Sequence, residues 1–334
     1  MHLHLYTYGA YLHIKDQLFE VRVRDKEQVR KQQFAANRIQ SIWMDEGTAL
    51  SSAAVVLAIK NNIDIVFLEK SGRPLGRVWH SKLGSTTLIR KKQLEASLNS
   101  LGLAYTKMWL GQKIEHQAQF IQQLAKHRPG QVDFLTEKRQ QLLSLKQSIE
   151  MAHGSQLDSL AEQFRGWEGT AGRLYFQTIS HVLPKQYQFV GRSFRPARDP
   201  FNAFLNYAYG ILYSRVEKAL ILAGLDPYVG FLHRDDYNYK SMVYDFIEPY
   251  RAYADKIAFS LFTAKKVRQS HTTLSASKAC TLTREGKVLL VSSFNKYMEE
   301  DRVRYKGKNQ TRANIIQLAA HRFAQELLQK EAPC

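Results

Sequence analysis

The run FNAFLNYAYGILYSRVEKALILA, residues 201–223, decides the architecture. It is apolar around most of a 3.6-residue period, so a helix built from it offers little to water and belongs at the centre of a domain. GLDP at 224–227 ends it. Working outward, the neighbouring segments carry helical spacing too. Residues 86–150 are rich in Leu, Ala, Gln, Lys and Arg and are interrupted at Arg128-Pro129-Gly130. Leu157–His181 reads as another helix, and its glycines at 166, 169 and 172 point to close packing there, since glycine is a poor helix former. Lys185–Pro200 is a basic, aromatic loop. Asp245–Thr263, Lys287–Met298 and Ala313–Gln329 complete a bundle.

Before residue 85 the period changes. Leu3, Leu5, Leu12, Ile14, Phe19, Val21 and Val23 fall largely at period two, as strands require. RDKEQVRKQQFAANR (24–38) has no clean apolar face and reads as a surface helix or an extended polar connection. Ile39–Met44 is a short strand, Leu50–Lys60 a buried helix with Ser51 as its N-cap, and Ile63–Leu68 a dense buried strand. Lys70–Pro74 turns the chain, and Leu75–Trp79 is a last strand. The expected fold is therefore α+β: a β-rich domain over 1–85 and a larger all-α domain over 86–334.

The 334 residues suit two domains, and 44% apolar content supplies real cores. Lys and Arg number 48 against 30 Asp and Glu, a formal charge of +18 and a pI near 9.8. Such an excess implies a polyanionic partner, nucleic acid before an anionic membrane. No apolar run has the length of a membrane span. The start, MHLHLYTYGAYLHI, lacks the basic and apolar regions of a signal peptide. Cys280 and Cys334 make neither a disulfide framework nor a zinc spacing. A reduced cytoplasm is the expected compartment.

Candidate chemistry gathers in two stretches, WEGTAGRLYF and DPYVGFLHRDDYNYKSMVYDFIEPYR. Glu168 shares a helical face with Arg165, Gly172 and Tyr175. It is either a carboxylate with room for a metal and a phosphate, or a surface acid paired to Arg165 or Arg173. His233 follows the apolar run Tyr228–Leu232; it is either a ligand or a hydrogen-bonded structural histidine, with Asp235 and Asp236 beside it. Asp245 and Glu248 are i, i+3 on one helical face, which Arg251 continues as a clamp. They are either functional acids or ordinary surface charges. An imidazole with two or three carboxylates and no thiolate suits Mg²⁺ or Mn²⁺ better than Zn²⁺. Phosphate would reach such an ion through the flanking basic region. Residues 165–215 hold Arg165, Arg173, Lys185, Arg192, Arg195, Arg198 and Arg215 against only Glu168 and Asp199, interleaved with Tyr175, Tyr187, Phe189 and Phe194. Arginine forks suit phosphates and aromatic rings stack on unpaired bases. Arg302, Arg304, Lys306, Lys308 and Arg312 form a second basic cluster.

WEGTAGRLYF (167–176), the block from Gly191 to His233 containing GLDPYVGFLH, and YDFIEPYR (244–251) together resemble the Cas1 family, the integrases of CRISPR adaptation. VVLAIKNNIDIVFLEKSGRPLGR (55–77), LTREGK (282–287) and YKGKNQTRANIIQLA (305–319) add weaker likeness, so the resemblance spans nearly the whole chain. YNYKS (237–241) departs from the Arg-Pro-Ser of many members, and Gly172 replaces a common Ala.

The resemblance implies a β-sandwich-like N-terminal domain, a helical C-terminal domain, and a metal site from Glu168, His233 and Glu248, with Asp245 assisting. It implies a homodimer that joins with Cas2 and inserts short DNA fragments into a repeat array by 3′-hydroxyl attack on a backbone phosphate. Water as nucleophile at the same site would cut DNA. Arg165, Arg173, Tyr175, Arg192, Arg195, Arg198 and Arg251 are the expected contacts to double-stranded or branched DNA, and Tyr187 is a further positioning candidate. The alternatives are a stand-alone structure-selective metal nuclease and a non-catalytic nucleic-acid scaffold.

Overall fold

The computed structural model describes residues 1–25, 28–70, 72–78, 87–154, 156–233 and 239–329. The N-terminal region builds two facing four-stranded sheets. The strands are β1 (His2–Leu5), β2 (Tyr11–Lys15), β3 (Leu18–Asp25), β4 (Gln28–Phe34), β5 (Ser41–Asp45) and β6 (Ala49–Leu50). Helix α1 (Ser52–Lys60), β7 (Asp64–Leu68) and β8 (Pro74–Val78) complete the region. One sheet runs β1-β5-β7-β8 and the other β4-β3-β2-β6. Asp16 and Gln17 both take positive φ and close the β2–β3 hairpin, the backbone twist a two-residue turn needs. The Ser51 side chain caps α1 by accepting from Ala54 N at 3.2 Å.

Residues 28–34 are an edge strand, not a helix. β4 pairs antiparallel with β3 along its length, Glu20 opposite Gln33 and Arg22 opposite Lys31. Its side chains are almost all exposed, so no apolar alternation marks it; the ladder to β3 makes the strand. In β5, and in β7 apart from the exposed Phe67, both faces are covered. Ile42, Met44 and Ile65 enter the core between the sheets, while Trp43, Val66 and Leu68 join the core of the helical region. That two-sided burial explains the dense apolar reading of 63–68.

The helical region contains α2 (Thr87–Ser97), α3 (Ser100–Ala125), α4 (Val132–Met151), α5 (Ala161–Val182), α6 (Pro200–Leu222), α7 (Ser241–Phe246) and α8 (Arg251–Thr263). A two-stranded ribbon, β9 (Thr272–Leu274) with β10 (Cys280–Leu282), precedes α9 (Arg284–Asn295). A second ribbon, β11 (Arg302–Tyr305) with β12 (Lys308–Thr311), precedes α10 (Arg312–Gln329). The second basic cluster thus forms one short ribbon and the start of α10. Both ribbons are short and mostly polar, and helical periodicity around them hid them. The expected boundary at 85/86 falls among residues 79–86, outside the described residues, as do Asp235 and Asp236.

Helix α6 is the centre of the bundle. Asp199 caps it by accepting from Asn202 N at 2.8 Å, Pro200 sits in its first turn, and residues 201–212 are buried without a break. Gly72 and Arg73, which follow β7, dock on it. A Cβ at Gly210 would run into the Gly72 carbonyl, and Gly72 itself has φ +84° against the Tyr207 ring. Gly210→Ala should therefore push Gly72 and Arg73 off α6 and cost about 1–3 kcal/mol by overpacking. Denaturant melting of the purified variant checks this; unchanged stability would mean the two backbones separate freely.

Candidate active site

One stretch expected to be a single helix is three pieces. Pro249 has no N–H to continue the ladder of α7, so Glu248–Tyr250 forms a 3₁₀ turn before α8 begins. The break sends the two acids in different directions. Asp245, 3% exposed, turns to the backbone ahead of the histidine. Its Oδ2 accepts from Phe231 N at 2.5 Å and Leu232 N at 3.1 Å, and its Oδ1 from His233 N at 3.2 Å. Oδ1 also accepts from His233 Nδ1 at 2.6 Å. Asp245 is thus the anchor of the 231–233 segment. With Nδ1 committed to the carboxylate, Nε2 is the ring atom left for the cleft. Burial lowers the His233 pKa, but the Asp245 bond and charge, with Glu248 and Glu168 behind them, outweigh it and raise it.

Glu248 is 2% exposed and faces two cations. Arg251 Nε donates to its Oε1 at 2.8 Å, the clamp expected from the spacing. Its Oε2 lies 2.5 Å from Lys113 Nζ. Burial pushes the Glu248 carboxyl up, but Arg251, Lys113 and His233 pull it down to about 2. Helix α3 brings Lys113 here and also holds the 3₁₀ turn, through a contact between His116 Nδ1 and Pro249 O at 2.7 Å.

The same ammonium serves Glu168. Lys113 Nζ donates to Glu168 Oε1 at 2.5 Å, so this oxygen and Glu248 Oε2 lie no further apart than twice that distance. Glu168 is therefore paired to Lys113 instead of to Arg165 or Arg173. Burial opposes the Lys113 charge, yet Glu168 and Glu248 outweigh it and hold the ammonium above the ordinary lysine range. Among the described residues no three His, Cys, Asp or Glu side chains stand as a ready metal cluster; a lysine holds the point between the two acids. The donor set nevertheless suits a hard divalent cation. Two carboxylate oxygens converge on one positive charge, and Glu248 Oε2 is buried with that ammonium as ion pair but without a well-directed hydrogen bond.

Lys113, Glu168, His233 and Arg251 line a cleft of about 770 Å³ together with Arg73, Arg173, Arg192 and Arg195, while Glu248 and Asp245 lie buried behind them. Gly169 and Gly172 border it, and a Cβ at either would meet nothing within 4 Å, as is also true of Gly166. These glycines thus face open space, not the close packing expected of them. The expected DNA contacts divide. Arg173 and Arg195 are exposed on the cleft, Arg195 over the Phe194 ring at 5.0 Å. Arg192 also lines it, but its guanidinium bonds Asn202 and Asn206 of α6 and tethers the loop. Arg251 is spent on Glu248 and lies over the rings of Tyr209 and Tyr213. Arg165 donates to Leu232 O at 3.3 Å and borders a separate hollow, and Arg198 donates to Ser277 O at 3.1 Å.

Tyr175 is a correction: it is wholly buried, so it is a core residue and not a DNA contact. Its face of α5 packs inward, where the buried Asp255 raises its hydroxyl pKa further after burial itself. Tyr187 likewise gives its hydroxyl to Val267 O at 2.9 Å. Two charged cleft residues escaped the sequence reading. Lys113 had a faint signal, a lysine on the same face as the apolar Trp109 and Leu110. Arg73 had none, because only docking of Gly72 on α6 brings it to the cleft.

The sequence comparisons agree on one family. A family profile described as "CRISPR associated protein Cas1" matches residues 3–296. A CRISPR-associated endonuclease Cas1 of Archaeoglobus fulgidus is 31% identical over 324 residues, 94% of this chain and 92% of that protein. Among solved structures, a casposase bound to integration product superposes with a TM-score of 0.84 at 22% identity, covering 99% of this chain and 92% of that one. A Cas6-RT-Cas1–Cas2 complex gives 0.80 at 19% identity, covering 99% of this chain and 35% of that one. At those identities the structures speak for the fold. No helix among the described residues is long and apolar enough to cross a membrane.

Proposed function

The chain belongs to the Cas1 family of CRISPR-associated proteins, and from that premise we propose that it is a metal-dependent DNA integrase and endonuclease of CRISPR adaptation. The observation that carries the site assignment is the meeting of Glu168 and Glu248 on one cation, in a basic cleft that His233 also lines. Glu168, Glu248 and His233 Nε2 would hold Mg²⁺ or Mn²⁺, which when bound polarises a phosphoryl oxygen and activates the attacking hydroxyl. In the joining reaction a 3′-hydroxyl oxygen bonds to phosphorus as the bond to the leaving 3′-oxygen breaks, so phosphodiesters are exchanged and no energy source is needed. With water as nucleophile the diester is instead hydrolysed to a 5′-phosphate and a free 3′-hydroxyl, which is a cut.

The protein's own part is placement. Asp245 fixes the histidine ring and the backbone before it. Arg251 neutralises one oxygen of Glu248, and Arg173 and Arg195 face the DNA backbone across open space left by Gly169 and Gly172. The partners of this reading are double-stranded or branched DNA, a second copy of the chain and Cas2. Structural likeness to a chain of the Cas6-RT-Cas1–Cas2 complex supports the last.

His233→Ala and Glu168→Ala should each abolish joining of a 3′-hydroxyl DNA fragment to a repeat-containing duplex, by about three orders of magnitude or more, while leaving DNA binding within about twofold. Gel-resolved joining assays with 3′-hydroxyl and 3′-blocked fragments, beside filter binding, read both. Cutting without 3′-hydroxyl-dependent joining would favour the structure-selective nuclease. Full joining by the variants would sink the site assignment and leave the scaffold reading.

A further inference from the structure

Among the described residues lining the cleft, Lys113 is the cation whose charge sits between the two acids. Its ammonium touches Glu168 Oε1 and Glu248 Oε2 at 2.5 Å each, and its side chain is 8% exposed. Arg251 approaches Glu248 from the other oxygen, and His233 is turned to Asp245. Two carboxylates this close repel one another, and a buried pair without a counter-charge is costly. The lysine removes that repulsion and fixes both side chains.

Resting on the metal reading given above, we infer that Lys113 is an internal counter-cation that competes with the divalent ion for Glu168 and Glu248. In the ion-free protein it holds the acids in place. Entry of an ion displaces the ammonium by a rotation of its four-carbon stem, and the charge stays in the cleft that Lys113 lines, beside the place a DNA phosphate takes. The site then binds its ion less tightly than two bare carboxylates would, and it does not collapse when the ion leaves. Lys113 is a positioning residue in the first state and a phosphate-facing charge in the second.

The test is binding of Mn²⁺ alone to the full-length protein, read from the electron paramagnetic resonance of free Mn²⁺. Wild type, Lys113→Met, Lys113→Gln and Glu168→Gln are compared. Both Lys113 variants should bind Mn²⁺ about tenfold tighter or more, because a unit charge leaves the ion's own position. They should also melt lower without the ion, show a larger ion-induced rise in melting temperature, and join DNA more slowly despite tighter binding. Lys113→Gln keeps a polar side chain and serves if Lys113→Met does not fold without the ion. A merely structural lysine predicts the opposite sign, looser ion binding with lower stability. If Glu168→Gln loses Mn²⁺ but both Lys113 variants bind it no tighter than wild type, Lys113 is no counter-cation and the metal site still stands. If wild type binds no Mn²⁺, or Glu168→Gln binds it unchanged, the metal site and the counter-cation fall together.

Discussion

Asp245→Ala should abolish strand transfer and remove about 3–5 kcal/mol of folding stability, the combined cost of several orphaned buried donors. Its two oxygens accept from three successive backbone N–H groups, Phe231 to His233, and from the His233 ring. Alanine leaves those donors inside a site where Phe231 and Leu232 are buried. The segment then loses its conformation and the ring its orientation. Asp245→Asn is the sharper probe. It keeps the volume and one good acceptor, so it should retain most of the stability while the ring loses its charged partner and activity still falls by about one to two orders of magnitude. Urea melting and a joining assay on the same preparations separate the two effects. Normal activity in both variants would show that the ring needs no anchor.

Glu248→Ala should have the second large effect, and it should differ from Glu168→Ala in kind. Both remove an acid from the same ammonium, and both should stop joining. Glu248 is 2% exposed and holds two cations, so its loss leaves Arg251 buried without its counter-charge and Lys113 with Glu168 alone, and costs about 3–5 kcal/mol. Glu168 has a side chain 23% exposed, and its loss should cost about 1 kcal/mol or less. Adding Lys113→Met to Glu248→Ala should return part of the lost stability, because the repulsion between the two cations disappears. Equal destabilisation by the two single variants would mean that Glu248 is not buried among cations in solution.

The division between what is written locally and what is assembled at a distance follows from these residues. Helix α6 and strand β7 were legible because burial leaves a nearly continuous apolar run, and the Ser51 cap because capping is local chemistry. Glu168, His233, Asp245 and Glu248 were legible as candidates from their blocks, and Arg251 as the clamp of Glu248 from spacing alone. Strand β4 was not, since its backbone bonds come from β3 and its exposed side chains carry no period. The separate duties of Asp245 and Glu248 were hidden by an i, i+3 spacing, because α7 ends at Phe246, between them, ahead of Pro249. Tyr175 looked like a cleft residue until packing turned it inward.

The sequence alone thus determined a basic α+β chain of the Cas1 kind with its acids and histidine in known blocks. Tertiary structure alone decided that Lys113, 55 positions before Glu168, sits between the two acids, and that Arg73 of the N-terminal region reaches their cleft. The physical reason is that period and propensity act over a few residues. A charge looks for its partner through space, and no local pattern records which partner the fold will bring.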